Sequence, residues 1–487
     1  MRRPPIALLI VGTTLIRLVF ATTTGLGVDE SYMVVAGRVL SLGYFDHPPA
    51  SWWLSWSAAH LFGTEAPWAV RLPFILLFAL SQFLIWRIGC LIADQRSGFW
   101  AAVALNLSPV LGVTTGTWVL PDGPLMAALL GAALCLIHAL VGQDRRLGWW
   151  AGAGCCAGLA LFSKYTAILP MSGALLYLGF SARDRWRLRR PGPYLAAAVA
   201  LVVFAPVLLW NATHGWASFA FQGDRAAGLR FRPWMPLATL GGEALFLLPW
   251  IWLPLMVLFV VALRRGAPWT HRLLAWLAAP SIVSFALISA WSGQRILFHW
   301  AAPGYLMLFP LLGQAIAERL HLAWVRNLIA GTAVLTILAI GVVATQIQFD
   351  WLGEGLTALM RKDPTDEGLD WVSLRQDLLD RNLLPPDSAV AALNWRDAGK
   401  IGYALGPDVT MVCLNQDCRQ FGVSRPMRAF AGQSMLVISP ESLERAKTDA
   451  QRWFRAVDVL PPSSVRLNGR TLRPVVVLRG TDLERPP

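Results

Sequence analysis

"GVDESYMVVAGRVLSLGYFDHPP", residues 27–49, joins an apolar run near 6–24 to another near 69–92. Each run approaches the roughly 20 residues that cross a bilayer. A polar connector between two such runs is a loop at a membrane surface, and this one carries Asp29, Glu30, Asp46 and His47. Further apolar runs follow near 99–118, 124–141, 150–162, 166–181, 193–210, 240–263, 273–290, 298–316 and 326–346. With 487 residues, 55% hydrophobic and 15% charged, the chain reads as an α-helical polytopic membrane protein. The first run lacks a small-x-small cleavage site and leads into more spans, so it reads as a helix and not as a cleaved signal. Some runs are short enough to tilt little or to pair as re-entrant segments.

Basic residues orient the spans. Arg2–Arg3, Arg87 with Arg96, Arg145–Arg146, Arg183 through Arg190, Arg264–Arg265 with Arg272, and Arg319 with Arg326 fall in alternate connections. The positive-inside rule makes those connections cytoplasmic. The net charge of +13 is then a topology signal beside anionic lipid headgroups, and no nucleic-acid partner is expected. Trp52, Trp53 and Trp56 read as interfacial anchors, and "ASWWLSWSAAHLF" (50–62) as an amphipathic helix along the outer interface, entered through Pro48–Pro49.

After residue 347 the pattern changes. "SAVAALN", "VTMVCLN", "SMLVISP" and "RPVVVLRG" read as short strands, and 370–384, 395–405 and 441–454 as helices. The expected division is a membrane domain, 1–347, with a large first extracytoplasmic loop at 25–68, and a small soluble α/β domain, 348–487. An odd number of spans places that domain outside. Cys413 and Cys418 are close enough in sequence for a disulfide in an oxidising compartment, whereas Cys90, Cys135, Cys155 and Cys156 lie in apolar runs. "GLGVDE" is no phosphate loop, because no strand-loop-helix unit or GK[ST] accompanies it.

This topology collects the unusual polar residues on the non-cytoplasmic side. They are Asp29, Glu30, Asp46 and His47; Asp122 in "LPDGP"; Lys164 and Tyr165 in "LFSKYTAILP"; Asn211 and His214; and Gln294, Arg295 and His299. Charges at membrane depth are costly unless they face partners or a wet cavity, so such clustering suits a catalytic cavity. Each residue also has a plainer use. Asp29–Glu30 suits a helix start, Asp122 a turn between Pro121 and Gly123, Lys164 snorkelling to the interface, and His214 or His299 a structural hydrogen bond.

The Asp29–Glu30 pair followed by Tyr32, then "YFDHPP", "PDGP", "GLALFSKYTAILP", "PVLLWNATHGWASFAFQ" and "HWAAPGYL", resemble in this order the bacterial GT-C glycosyltransferases of the protein mannosyltransferase and aminoarabinose transferase type, glycosyltransferase family 39. The resemblance covers residues 5–310. It implies about 11–13 transmembrane helices, a large first extracytoplasmic loop and a sugar donor carried on polyprenyl phosphate. It gives Asp29 the role of the first-loop catalytic aspartate and Asp122 that of a second acidic site residue, and it puts Lys164 near the lipid phosphate. The aminoarabinose transferases tend to carry a Glu-Lys-Pro type segment where this chain has Asp46-His47-Pro48, so contacts there stay open.

The expected function is transfer of a sugar from polyprenyl phosphate to a lipid A, LPS core or other glycolipid or glycan acceptor at the outer face of a bacterial inner membrane. Asp29 would act as base, with Glu30 and Asp122 as further catalytic candidates. Lys164, Tyr165, Arg295 and His47 are the donor-phosphate candidates, and Asp46, His214 and His299 complete the set. Single displacement predicts inversion at the anomeric carbon. No cofactor is required, though Asp29, Glu30, Asp46, His47 and Asp122 could together hold a divalent ion. The alternatives are a protein O-mannosyltransferase, separable by whether the labelled product is lipid or protein, and a lipid-linked-sugar flippase, which would place polar or broken helices near the midplane. The topology has a direct measurement: a compartment-sensitive reporter fused after residue 347 is expected to be active only outside the cytoplasm, and cytoplasmic activity would invert the site assignment.

Overall fold

The structure, a computed structural model, describes residues 5–141, 147–224, 230–293, 296–352, 364–384, 388–467 and 470–484. Arg2–Arg3, Arg145–Arg146, Gln294 and Arg295 lie outside them. The first apolar run is α1 (Ile6–Thr23). The opening connector is partly helical: α2 (Val28–Ala36) begins at the acidic pair, where Glu30 accepts a 2.9 Å hydrogen bond from the Gly27 N–H. α3 (Ala50–Phe62) covers the helix expected at 50–62, although Trp52, expected as an interfacial anchor, is buried against Tyr32; α4 (Pro67–Ile92) covers the next span. α5 (Gln95–Leu107), capped by Asp94, ends at Ser108 before a π-helical turn, Pro109–Thr114. There follow α6 (Asp122–Val141), α7 (Leu147–Ser163), α8 (Ile168–Phe180), α9 (Pro191–Thr213) and α10 (Ala217–Asp224). The last helices of this region are α11 (Met235–Leu247), α12 (Pro249–Leu263), α13 (Trp269–Ser289), α14 (Ala302–Arg319) and α15 (Ala323–Phe349).

By length and composition, seven described helices can cross a membrane, and eight if α11 and α12 count as one span bent by 118°. The protein is a multi-span membrane protein. The expected spans at 99–118, 150–162 and 166–181 are shorter helices, for local reasons. Pro109 supplies no N–H and pushes Ser108 to extended geometry, φ −81° and ψ 120°. Lys164 is extended between α7 and α8. At Leu248, φ +73° before Pro249 turns the chain where one span, 240–263, was expected.

The chain divides into two compact units. One comprises residues up to Leu18, Leu42–Ser51 and Leu72–Leu338; the other comprises Val19–Ser41, Trp52–Arg71 and the chain from Ala339 onward. The expected division at residue 347 therefore differs: most of the first loop packs with the C-terminal segment.

In the first unit, α7 lies against α9 through Gly154 and Gly158, where an added Cβ would strike Ala196, Ala200 and Val203. Close approach through small residues is how membrane helices gain contact without a hydrophobic driving force. At one end of α6, Arg183 and Arg187 donate to the Leu140 carbonyl at 3.2 and 3.0 Å, and the Arg183 guanidinium lies 4.0 Å over Trp269. Asp122 stands at the other end of the same 20-residue helix, about 30 Å away at 1.5 Å per residue. The basic connection and the acidic site residue are thus at opposite ends of one span. Arg17, buried in α1, donates to the Thr13 carbonyl (2.9 Å), Asn106 Oδ1 (3.0 Å) and the Gly112 carbonyl of the π-helical turn (2.6 Å).

The second unit holds a mixed sheet ordered β2-β1-β3-β6-β4, with β5 on β6. β1 (Ala389–Ala392) runs parallel to β2 (Thr410–Cys413) and β3 (Met435–Ser439), while β6 (Arg470–Leu483) is antiparallel to β3, β4 (Phe454–Val459) and β5 (Ser463–Leu467). The parallel β1–β2 pair needs a crossover, and helix Trp395–Leu405, capped by Asn394, supplies it. That helix packs on α2 because Gly399 has no Cβ; one there would come within 2.8 Å of the Tyr32 nitrogen. Tyr32 is buried against Trp52, Trp395 and Phe421, ring centroids 5.0–5.6 Å apart, and its hydroxyl accepts from the Gln420 N–H. Lys400 donates to the carbonyls of Leu26, Glu367 and Leu369 at 2.7–2.8 Å, and burial pushes its pKa down to about 8.

Arg71 holds the start of α2. It donates to both Glu30 oxygens (2.8 and 2.6 Å), to Thr24 O and Oγ1 and to Gly25 O. Both side chains of the ion pair are 2% exposed, so losing one partner strands a buried charge. Arg71→Leu is expected to destabilise this unit by about 3–5 kcal/mol, with Glu30→Leu in the same chain recovering most of it. Thermal unfolding of the purified single and double variants measures both.

Candidate active site

Helix α7 ends at Ser163, and the Lys164 N–H still closes its last turn on Ala160. The backbone then becomes extended before the 3₁₀ turn Tyr165–Ala167, so the Lys164 side chain leaves the helix end. Its ammonium lies 2.9 Å from both oxygens of Asp122, in the first turn of α6. A carboxylate there is favoured by the helix dipole. The two side chains are 10% and 16% exposed. A lysine that snorkelled into open interface would not carry a buried bidentate partner, so the plain anchoring use does not describe this one.

The first unit gathers other expected residues around this pair. His299 and His47 lie close enough to act electrostatically on Asp122. Asp46 is buried, its backbone carbonyl accepts from Gln222 Nε2 at 2.6 Å, and its carboxylate acts on Tyr165. The Tyr165 hydroxyl meets Ser218 Oγ at 2.7 Å, and its ring contacts Phe219 and Phe204. The 42–51 segment lies on Trp210, which leaves no room for a Cβ at Gly43. His214 stands apart: it is exposed, its Nδ1 contacts the Trp210 carbonyl at 2.8 Å, and its ring stacks on Trp210 at 4.2 Å. That is a helix-end contact. Arg295, expected at the donor phosphate, and Gln294 lie outside the described residues.

Asp29 and Glu30 belong to the second unit, and adjacent positions on α2 give them opposite environments. Glu30 is buried and bound by Arg71, whereas Asp29 is exposed. Asp29 nevertheless has protein around much of its open face, and this partial desolvation raises its pKa. Arg419 opposes the rise, Glu367 adds to it, Arg396 opposes it and Glu30 adds to it. The surroundings thus leave Asp29 exposed while raising its pKa.

Among the described residues no three His, Cys, Asp or Glu side chains come together as a metal-ligand group. Sequence reasoning passed over Arg17, Arg71, Glu243 and Lys400. Arg17 and Glu243 sit in apolar runs, and an ionisable residue in such a run is the signal that finds them. Glu243 accepts from the Tyr305 hydroxyl at 2.6 Å, one turn before the bend at Leu248.

Residues 46–210 match the family model described as dolichyl-phosphate-mannose-protein mannosyltransferase. The chain is 23% identical over 328 residues to the lipid A galacturonosyltransferase RgtD of Rhizobium johnstonii, covering 66% of this chain and 66% of that protein. It is 26% identical over 356 residues to the undecaprenyl phosphate-alpha-4-amino-4-deoxy-L-arabinose arabinosyl transferase of Pectobacterium atrosepticum, covering 67% and 60%. The chain thus spans about two thirds or less of the length of these curated relatives. Its fold is that of ArnT from Cupriavidus metallidurans in the structure bound to undecaprenyl phosphate: TM-score 0.68, 17% identity, 99% of each chain. The resemblance drawn from the ordered motifs to GT-C glycosyltransferases of the aminoarabinose transferase type is borne out.

The Lys164–Asp122 pair yields a stability test. Lys164→Met strands the Asp122 carboxylate and is expected to cost about 3 kcal/mol or more, while Lys164→Met with Asp122→Asn recovers most of that loss. A double-mutant cycle on thermal unfolding gives the coupling, and additive losses would mean that the pair is not formed.

Proposed function

We propose that this protein transfers a sugar from a polyprenyl-phosphate donor to a hydroxyl of a lipid A-type acceptor, at the outer face of a bacterial inner membrane. The buried Lys164–Asp122 pair, with His299 and His47 around it, carries the reading. An ammonium has three donors, and two are directed at Asp122. Asp122 fixes the amine so that the third reaches a phosphate oxygen of the donor. As the bond between anomeric carbon and phosphate oxygen lengthens, negative charge grows on the phosphate, and a preorganised cation stabilises it without reorganising. Asp29 takes the proton of the acceptor hydroxyl as that oxygen bonds to the anomeric carbon, and the polyprenyl phosphate leaves with its bonding electrons. One displacement inverts the anomeric centre. Glu30 positions Asp29 through the Arg71 clamp and takes no proton.

The relatives named for lipid A and undecaprenyl-phosphate chemistry support this acceptor and donor class. The matched family description, a protein mannosyltransferase, favours a second reading in which the acceptor is a protein hydroxyl. A transporter reading would rest on the bend between α11 and α12 with Glu243 beside it. Incubation with a labelled polyprenyl-phosphate sugar separates the three, because label enters lipid, enters protein, or moves without a new glycosidic bond.

Asp29→Asn keeps the shape of the side chain and loses its basicity. Turnover is expected to fall by about a hundredfold or more, the scale of positioned acid–base catalysis, while folding and donor binding persist. Single-turnover transfer with parallel donor binding measures both, and near-normal turnover would remove Asp29 as the base. Because the same carboxylate must be ionised to act, and its pKa is raised mainly by burial, turnover should decline on the acid side beginning above the pH at which an ordinary aspartate protonates.

A further inference from the structure

Four features converge on Arg419. Its backbone sits at φ +46°, a region that costs a residue with a Cβ about 1–3 kcal/mol. The preceding residue, Cys418, is joined to Cys413 at the end of β2 by a disulfide, with the two Cα atoms 5.6 Å apart. The following residue, Gln420, gives its N–H to the hydroxyl of Tyr32 on α2 at 3.0 Å. The Arg419 guanidinium lies 3.8 Å over the ring of Trp395, which in turn packs on Tyr32. A short loop is therefore locked at both ends, and its strained residue places a cation on Trp395, which packs against α2 (Val28–Ala36) through Tyr32.

We propose that Arg419 is the positioning residue of Asp29: the disulfide-braced loop of the C-terminal segment sets its guanidinium beside the first turn of α2, where it holds the Asp29 carboxylate ionised and oriented for the acceptor. This rests on the reading of Asp29 as base. The charged groups around Asp29 are Arg419 from this loop, Arg396 from helix Trp395–Leu405, Glu367 from the turn before Leu369, and Glu30 on α2 with Arg71 behind it. Of these charges Arg419 acts most strongly. Glu367 and Glu30 oppose ionisation, and Glu30 does so weakly because Arg71 neutralises it. Removing Arg419 leaves burial and Glu367 balanced only by Arg396, so Asp29 takes up its proton at higher pH.

The test is the pH dependence of sugar transfer by the full chain from a synthetic polyprenyl-phosphate donor, for Arg419→Gln, Arg419→Lys, and Cys413→Ser with Cys418→Ser. Arg419→Gln is expected to move the acid limb of the rate to higher pH, with a loss on the acid side at least threefold larger than on the alkaline side. Arg419→Lys keeps the charge and should restore the limb, and the paired cysteine variant should shift it as Arg419→Gln does. An equal loss at every pH in Arg419→Gln would make the residue a fold support and overturn the inference, as would an unmoved limb. A limb that stays in place in the cysteine variant would overturn the bracing by the disulfide. Asp29→Asn, run alongside, tests the reading beneath: full turnover there removes the base itself, whereas lost turnover with an unmoved Arg419→Gln limb sinks only the positioning role.

Discussion

Arg71 has five N–H groups, and all five find acceptors in residues 24–30. That saturation is the constraint on which the first loop depends. A guanidinium buried to 2% exposure is costly unless it is paired and hydrogen-bonded throughout, so the chain between α1 and α2 can take one path only, wrapped around it. The wrap turns Glu30 inward. Because successive helical residues point about 100° apart at 3.6 residues per turn, it also turns Asp29 outward. A single buried cation thereby decides which of two adjacent carboxylates is buried and which faces outward.

The same logic of complete pairing recurs in chemically different forms. Lys400 satisfies the carbonyls of Leu26, Glu367 and Leu369, and Arg17 ties α1 to Asn106 of α5 and to Gly112 of the π-helical turn. Lys164 takes both oxygens of Asp122. In each case a basic side chain occupies a place where backbone or carboxylate oxygens would otherwise be buried without donors, and each such group costs several kcal/mol in an apolar surround (about 1–3 by mutational measures). The basic residues therefore do two jobs that composition cannot separate. Those in exposed connections face solvent, and those inside define the polar sites.

Much of the fold was legible in the sequence where one physical rule acts alone. Runs of apolar residues announced α1, α4, α6, α9, α13 and α15, and short apolar stretches after residue 347 announced β1, β2, β3 and β6. Helix α3 was legible in "ASWWLSWSAAHLF", entered through Pro48–Pro49. Strands β4, "FRAVDV", and β5, "SSVRL", escaped because they are short and β4 exposes most of its side chains, which leaves little hydrophobic alternation to read. The interruptions at Ser108 and Leu248 escaped because apolar composition continues across them; the break is made by backbone geometry, not by polarity.

The sequence by itself determined that the chain is a multi-span helical protein with a mixed α/β segment after it, and that Asp46, His47, Asp122, Lys164, Tyr165 and His299 deserve attention as polar residues among apolar runs. Those properties are local, set by hydropathy and spacing. Only the tertiary structure decided that Lys164 is paired with Asp122, 42 residues away, that His214 is a helix-end contact, that Glu30 is an anchor, and that residues 19–41 and 52–71 pack with the C-terminal segment. A charge chooses its partner by distance in space. No periodicity along the chain encodes that distance, because it is fixed by close contacts such as Gly399 on Tyr32 and Gly154 on Ala196, where the absence of one Cβ sets how near two helices come.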